Sequence, residues 1–330
     1  MARVKKIINA IPDIVPEVLD GLVLASHGDL RRLEGADAVL RMHIPDGKVA
    51  LLIGGGSGHE PMYTCYVGRG LADASVAGNI FAAPTPDNIY EATKAVNRGK
   101  GVIFLYGNYA GDIMNFDIGA EIAAADGIAV ETIRIADDVV TRDRKDRRGI
   151  GGAFYVVKCA GAICNEATSL AEAAELVRHA EAAVRSIGVA VSAGSLPQTG
   201  EPTFVLGDDE IEIGMGAHGE PGVERRKLMT ADALAEEMTR LVVADLPFRK
   251  GDEVALMLNN LGATTMMELL IVNCTVRRVL DELGIKVYRS DIGSLFTSQE
   301  TAGFSLSLMK LDANIKRWLD APASSPAYRQ

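Results

Sequence analysis

The chain has 330 residues and a formal net charge of −10, with 34 lysines and arginines against 44 aspartates and glutamates. Such an acidic chain is poorly suited to sequence-independent binding of nucleic acid or of an anionic membrane. Aromatic residues, at 5%, are too sparse for base-stacking platforms. The length predicts two domains with a core large enough to need no covalent or metal staple.

The cysteines predict a reducing compartment. The chain has four of them, Cys65, Cys159, Cys164 and Cys274, and none forms a Cys-x-x-Cys pair. Because no His or Cys partners stand at zinc-ligand spacing, we expect buried, reduced thiols and no metal site. The basic N-terminus is followed by an apolar run too short for a signal peptide, and no apolar window is long enough to span a membrane. We therefore expect a soluble cytoplasmic enzyme or sensor.

In the first half of the chain, short apolar runs bounded by glycine alternate with helical patterns. The predicted strands are 48–53, 101–106 and 128–135, and the predicted helices are 87–96, 113–124 and 153–167. This alternation is typical of an α/β fold, here an N-terminal three-layer α/β/α domain with a largely parallel sheet. Ligands of such sheets bind at the carboxyl ends of the strands.

After an alanine-rich helix predicted at 170–186, the pattern changes to strands joined by turns. The predicted strands are 188–195, 200–205, 210–215, 253–258, 286–290 and 304–311, and the predicted helices are 230–243 and 265–283. Thr230 is the expected N-cap of the first of these helices. The second half is thus predicted to be an α+β domain, which divides the chain into domains 1–185 and 186–330.

Residues 142–148, RDRKDRR, form the one charge run. A solvated loop is the preferred interpretation, and a basic lip beside a phosphate is the alternative.

Glycines and one histidine follow the first predicted strand, in the loop GGGSGHEP at 54–61. Glycine permits positive φ and lets a ligand approach main-chain N–H groups. The loop is neither a P-loop nor a G-x-G-x-x-G fingerprint. A purely structural turn is the alternative, but His59, fixed at the end of a buried strand, favours a small-ligand site.

Three further loops follow predicted strands. In 107–112, GNYAGD, Asp112 either caps the next helix or serves as a general base facing the same pocket as His59. In 214–222, GMGAHGEPG, glycines flank His218, so we expect its ring to be exposed to a cavity. The amide-rich loop 259–265 either shapes this cleft or caps the helix that follows.

Together these loops resemble the dihydroxyacetone kinase family, specifically its sugar-binding K subunit or the equivalent N-terminal half of the fused ATP-dependent enzymes. The motifs stand in the family's order over nearly the whole chain: GGGSGHEP at 54–61, PTPD at 84–87, GNYAGD at 107–112, GDIMNF at 111–116, AHGEPG at 217–222 and NNLGAT at 259–264.

The resemblance implies a mechanism. His218 matches the residue whose imidazole adds to the carbonyl of a short ketose to form a covalent hemiaminal. His59 matches a residue that hydrogen-bonds the substrate and assists proton transfer, and Asp112 matches the base that receives the proton of the phosphorylated hydroxyl. The implied substrate-binding residues are Gly55, Gly56, Ser57, Gly58, Gly107 and Gly216.

The resemblance also implies partners. In this family the nucleotide and its magnesium belong to a separate all-helical domain, so we expect no cofactor on this chain and ADP or ATP with Mg on a partner subunit. The phosphoryl source is either ATP or a phosphoprotein of the phosphotransferase system. A homodimer is also implied. Two alternatives are a ligand-sensing co-regulator paired with a transcription factor and, more weakly, a relative of fatty-acid-binding proteins.

Three departures from the family pattern concern the substrate. Gly107 stands where the family often has Lys, Ala110 where it has Thr, and Ala82-Ala83 where it has Thr-Ser. These smaller residues predict a roomier pocket that favours a larger ketose, such as erythrulose or apulose, over dihydroxyacetone.

Overall fold

The computed structural model describes residues 5–330. They form two compact units that interleave along the chain. The N-terminal unit comprises Ile7–Ile135, Tyr155–Glu181 and Ile315–Gln330, and the C-terminal unit comprises chiefly Ala136–Phe154 and Ala182–Asn314.

The strands and helices are as follows. The strands are β1 (Leu30–Arg32), β2 (Ala38–Arg41), β3 (Ala50–Ser57), β4 (Ala74–Ile80), β5 (Val102–Gly107), β6 (Val130–Ile135), β7 (Val184–Ser192), β8 (Glu210–Ile213), β9 (Glu224–Lys227), β10 (Glu253–Asn260), β11 (Lys286–Gly293) and β12 (Ala302–Leu311). The helices are α1 (Ile14–Ala25), α2 (Pro86–Val96), α3 (Ala110–Ala125), α4 (Ala153–Glu166), α5 (Leu170–Ala182), α6 (Ala231–Asp245), α7 (Met266–Glu282) and α8 (Ala313–Asp320).

The sheet of the N-terminal unit has the strand order β1-β2-β4-β3-β5-β6. Strands β4, β3, β5 and β6 are parallel, whereas β1 and β2 add an antiparallel edge. Helices α2 and α3 bury Ile89, Val96 and Phe116 in one core with Leu52 and Phe104 of the sheet. The predicted α/β fold with a largely parallel sheet is confirmed here.

The sheet of the C-terminal unit has the order β11-β10-β12-β7-β8-β9. Its strand pairs are antiparallel except for β10 with β11. Helices α6 and α7 contribute Val242 and Val276 to a core that includes Leu256 and Leu306 of the sheet. The predicted α+β arrangement is therefore confirmed, and Thr230 caps α6 as expected, with its side chain accepting from Ala233 N.

The units differ from the predicted domains 1–185 and 186–330 in two segments. Residues 136–154 lie in the C-terminal unit, where Ser186 N donates to Asp137 O at 2.8 Å and Val139 N donates to Ser186 O at 2.9 Å. Residues 315–330 lie in the N-terminal unit, where the buried Lys158 Nζ of α4 donates to Trp318 O at 2.9 Å. Such long-range pairings leave no mark in the local pattern from which the boundary was predicted.

Two predicted elements also differ. The helix predicted at 170–186 ends at Ala182, and β7 begins two residues later. Residues 184–186 belong to β7 instead, because Val184 and Ser186 are fully buried in the sheet and tertiary packing overrides local helix propensity. The strand predicted at 200–205 is a loop with one isolated bridge, between Ser195 and Pro202.

The thiols are all free. Cys159 and Cys164 are buried as expected, but Cys65 is partly buried and Cys274 is exposed. Within residues 5–330 no helix is long and apolar enough to cross a membrane. Nor does this part of the chain hold a group of three or more His, Cys, Asp or Glu side chains placed to bind a metal ion.

A buried carboxylate ties the edge of the parallel sheet together. Asp73 is fully buried and accepts hydrogen bonds from Lys48 Nζ at 2.7 Å, Arg41 Nη1 at 2.8 Å and Leu51 N at 2.9 Å. One carboxylate therefore offsets the charge of two buried or nearly buried cations.

We expect Asp73→Asn to lower the free energy of unfolding by about 3 kcal/mol, because it leaves the Lys48 ammonium buried without a counter-ion. Urea denaturation measures this loss. The matched control is Asp46→Asn, whose carboxylate is fully exposed and should change stability by no more than about 0.5 kcal/mol. Equal stability of the two variants would contradict a structural role for the Asp73 cluster.

Candidate active site

The glycines after the first predicted strand belong to the strand itself. Strand β3 continues through Gly54, Gly55 and Gly56 to Ser57, and within this stretch the backbone turns to positive φ only at Gly58 (φ +101°). A Cβ on Gly55 would lie 2.5 Å from the ring of Tyr63, and one on Gly56 would lie 2.8 Å from Ala82 N. The predicted glycine turn is thus limited to Gly58, and close packing accounts for the other glycines.

His59 follows this strand and is almost fully buried, with 2% exposure. Its ring packs against Phe81, with centroids 4.8 Å apart and planes tilted by 31°. Ser57 holds the two segments together, since its hydroxyl donates to Gly78 O at 2.7 Å and its carbonyl accepts from Phe81 N at 2.9 Å. The imidazole is therefore fixed by both β3 and the segment after β4.

Next to it, the Glu60 carboxylate accepts from Gly58 N at 3.0 Å. Burial raises the pKa of Glu60 above its ordinary value, although backbone hydrogen bonds oppose this shift.

Asp112 is the third residue of α3 and is 8% exposed. The N-cap of this helix is Tyr109, so the structure does not support the interpretation of Asp112 as its N-cap. An acid in the first turn is favoured by the helix dipole. Since β3 and β5 are parallel neighbours, His59 and Asp112 both follow the carboxyl edge of one sheet, where ligands of α/β proteins bind.

His218 lies in the C-terminal unit, on the hairpin loop between β8 and β9. Positive φ angles at Gly214 (+81°) and Gly219 (+88°) form the turn. Gly216 N donates to Glu220 O at 3.1 Å, and Gly219 N donates to Gly216 O at 3.2 Å. The His218 side chain is 23% exposed.

One carboxylate orients the His218 ring. Glu220 Oε2 accepts from His218 N at 2.9 Å, and Glu220 Oε1 lies 2.7 Å from His218 Nδ1. Burial alone would raise the pKa of Glu220, but the hydrogen bond and charge of His218 lower it to about 2. An ionised carboxylate only accepts, so Nδ1 is the protonated nitrogen and Nε2 carries the lone pair in the neutral ring.

Arg148 braces this loop at both ends. Its Nη2 donates to Gly214 O at 2.7 Å and its Nη1 to Pro221 O at 3.3 Å, while Nε binds Asp138 Oδ2 at 2.8 Å. A side chain at Gly216 would collide with both the Glu220 carboxylate and the Arg148 guanidinium. Burial raises the pKa of Asp138 to about 6, although the charge of Arg148 opposes this shift.

The charge run 142–148 is therefore only partly the solvated loop that we expected. Arg142 and Lys145 are exposed, but Arg147 is buried and its Nη1 donates to Asp245 Oδ1 at 2.8 Å. Within the run, Arg147 and Arg148 act as structural anchors. Sequence alone gave no sign of this, since their partners are distant in the chain.

The loop 259–265 holds neighbouring backbone in place. The buried Asn259 accepts through Oδ1 from Leu295 N and Phe296 N, at 2.9 and 2.8 Å. Thr265 and Glu268 form a capping box at the start of α7, which confirms the capping interpretation of this loop.

Comparison with known proteins identifies the family. Residues 20–327 match the sequence model of the Dak1 domain. The chain is 41% identical over 320 residues to the dihydroxyacetone-binding subunit DhaK of PTS-dependent dihydroxyacetone kinase 1 from Listeria innocua, with 96% of both chains covered. It is 39% identical over 287 residues to D-erythrulose kinase of Mycolicibacterium smegmatis, covering 86% of this chain and 50% of that protein.

Comparison with solved structures supports the same family. The dihydroxyacetone kinase of C. freundii in complex with AMP-PNP and Mg²⁺ superposes with a TM-score of 0.91 at 30% identity, over 98% of this chain and 61% of that one. The dihydroxyacetone kinase operon co-activator DhaQ gives a TM-score of 0.90 at 31% identity, over 98% and 99%. The chain therefore belongs to the Dak1 family, as the resemblance of its loops predicted. The curated relatives named here are kinases or kinase subunits.

We expect Arg148→Gln to loosen the loop 214–222, because a neutral amide cannot replace a guanidinium that spans two carbonyls and a carboxylate. Backbone hydrogen exchange in this segment should accelerate by about tenfold or more, as for the loss of a charge-assisted hydrogen bond. Arg142→Gln removes the same charge from the same run at an exposed position and is the control. Exchange at the wild-type rate in Arg148→Gln would exclude the brace.

The low pKa of Glu220 predicts an acid-dependent loss of stability. Since its pKa falls from an ordinary 4.5 to about 2 on folding, its contribution is fully present above about pH 4.5 and is lost as the pH falls toward 2. Urea titrations at pH 5 and pH 3 should show a smaller decrease for Glu220→Gln than for the wild type. An identical decrease in both proteins would contradict the ionised pair.

Proposed function

We propose that this chain is the ketose-binding subunit of a dihydroxyacetone-type kinase and that His218 binds the ketose covalently as a hemiaminal. The observation that carries this proposal is the contact of His218 Nδ1 with the Glu220 carboxylate, which leaves Nε2 as the nucleophilic nitrogen. Membership of the Dak1 family supports the kinase class.

The proposed addition of His218 to the ketose forms one bond and breaks only the π bond of the carbonyl group. The Nε2 lone pair forms a bond to the keto carbon while the carbonyl π pair moves to its oxygen. The oxygen takes up one proton from water and the ring releases its Nδ1 proton to water, so the adduct is neutral and no atom of the ketose leaves. Glu220, ionised in the free protein, stabilises the positive charge that the ring carries during this step.

His59 and Asp112 are the other residues for which we propose a catalytic role. His59, fixed against Phe81, hydrogen-bonds the ketose and assists proton transfer. Asp112 accepts the proton of the terminal hydroxyl as its oxygen attacks phosphorus. The proposed substrate-binding residues are Gly55, Gly56, Ser57, Gly58, Gly107 and Gly216.

We further propose that a partner subunit carries the nucleotide, ADP or ATP with Mg, and that this chain forms a homodimer. The nucleotide-bearing partner supplies the phosphoryl group, either from ATP or through a phosphoprotein of the phosphotransferase system. The name "dihydroxyacetone-binding subunit", borne by the Listeria relative, supports this division of labour.

A second candidate is a ligand-sensing co-regulator. It is favoured by the similarity to the co-activator DhaQ over nearly the full length of both chains. Phosphorylation of a ketose by this chain with a helical nucleotide-binding partner would distinguish the kinase from the sensor. The same assay with dihydroxyacetone, erythrulose and apulose would identify the substrate.

Intact mass measurement of the chain with a short ketose tests the covalent step. We expect an adduct equal to the whole sugar, and its absence in His218→Ala. An adduct lighter by one water would instead indicate a Schiff base on a lysine and would overturn the hemiaminal. In Asp112→Asn the adduct should persist while phosphoryl transfer with the partner is lost; retained transfer would show that Asp112 is not the base.

A further inference from the structure

Tyr63 covers the glycine-rich end of β3. It lies four residues after His59 and is only 6% exposed. A Cβ on Gly55 would lie 2.5 and 2.8 Å from two of its ring carbons and 3.1 Å from its hydroxyl oxygen. The absence of a side chain at Gly55 therefore allows the phenol to pack against the strand.

The same phenol reaches the end of the neighbouring strand, β5. A Cβ on Gly107 would lie 3.4 Å from Tyr63 Oη and 3.1 Å from the ring of Tyr109. Two tyrosine side chains thus lie within contact distance of the point that a Cβ at position 107 would take.

The backbone of Tyr63 is held in an unfavourable conformation, with φ +68° and ψ −88°. Positive φ is rare for a bulky aromatic residue and persists only where the surroundings fix it, typically at functional sites. Phe81, which packs on His59, also has positive φ (+55°). Two strained aromatic residues therefore stand next to the proposed catalytic strand end.

We propose that Tyr63 is a specificity-determining residue whose hydroxyl binds a hydroxyl group of a four-carbon ketose that dihydroxyacetone lacks. The inference rests on the proposed function. It attributes the preference for a four-carbon ketose over dihydroxyacetone to a hydrogen bond and not to the size of the pocket. A phenol both donates and accepts, and here it is placed at the carboxyl ends of two parallel strands. Sites that hydrogen-bond a substrate hydroxyl discriminate strongly against the analogue without it.

Calorimetric titration of the purified full chain with erythrulose and with dihydroxyacetone tests this assignment. In the wild type, erythrulose should bind at least as tightly as dihydroxyacetone. Tyr63→Phe keeps the ring over Gly55 but removes the hydroxyl, and it should weaken erythrulose binding about tenfold while changing dihydroxyacetone binding little. Gly55→Ala, whose Cβ would lie 2.5 Å from the Tyr63 ring and so displace it, should shift the ratio in the same direction. It replaces Tyr63→Phe as the test if that variant does not fold.

Tyr90→Phe is the matched control, because it removes an exposed hydroxyl of α2 that bonds to Asp126. Its affinity ratio should equal that of the wild type. Ketose binding with an unchanged ratio in Tyr63→Phe, or a wild-type preference for dihydroxyacetone, would overturn the role of Tyr63 alone. Failure of the wild type to bind either ketose would overturn the proposed function, and this inference with it.

Discussion

The hydrogen bond between His218 Nδ1 and Glu220 is the contact on which the proposed chemistry of the site depends. Because the carboxylate accepts from both the ring and the backbone of His218, it fixes the ring's tautomer and its position together. The absence of a side chain at Gly216 leaves room for this contact. Arg148 holds the two ends of the hairpin loop by donating to the carbonyl oxygens of Gly214 and Pro221. The proposed nucleophilic role of His218 thus depends on a carboxylate that holds its ring and on a guanidinium that holds its loop.

Glycine serves a common purpose in both units. At Gly55 and Gly56 it admits an aromatic ring and a neighbouring backbone segment, and at Gly216 it admits a carboxylate and a guanidinium. At Gly56 and Gly216, a side chain would displace groups that hold a proposed catalytic residue, Phe81 beside His59 and Glu220 beside His218. The clustered glycines therefore serve mainly to allow close packing beside the proposed catalytic residues. Only some of these glycines, such as Gly58 and Gly219, also turn the chain through positive φ.

Much of this could be predicted from sequence. The loops that carry His59, Asp112 and His218 were located because glycine clusters follow apolar runs, and the family motifs were specific. Strand β4 was missed because its sequence, ASVAGNI, is interrupted by a glycine that is required by close packing with Ala82. The roles of Arg148 and Tyr63 depend on partners far away in the chain or on backbone strain, and neither has a local signature.

The interleaving of the two units has a consequence for biosynthesis. Lys158 and the backbone of Gly68 and Gly70 are packed against residues 318–324, so the N-terminal unit is completed by a segment that follows the C-terminal unit in the chain. The C-terminal unit has all its strands by Leu311. The N-terminal unit, although its first segment is translated before the C-terminal unit, is therefore completed only after the C-terminal unit has been made.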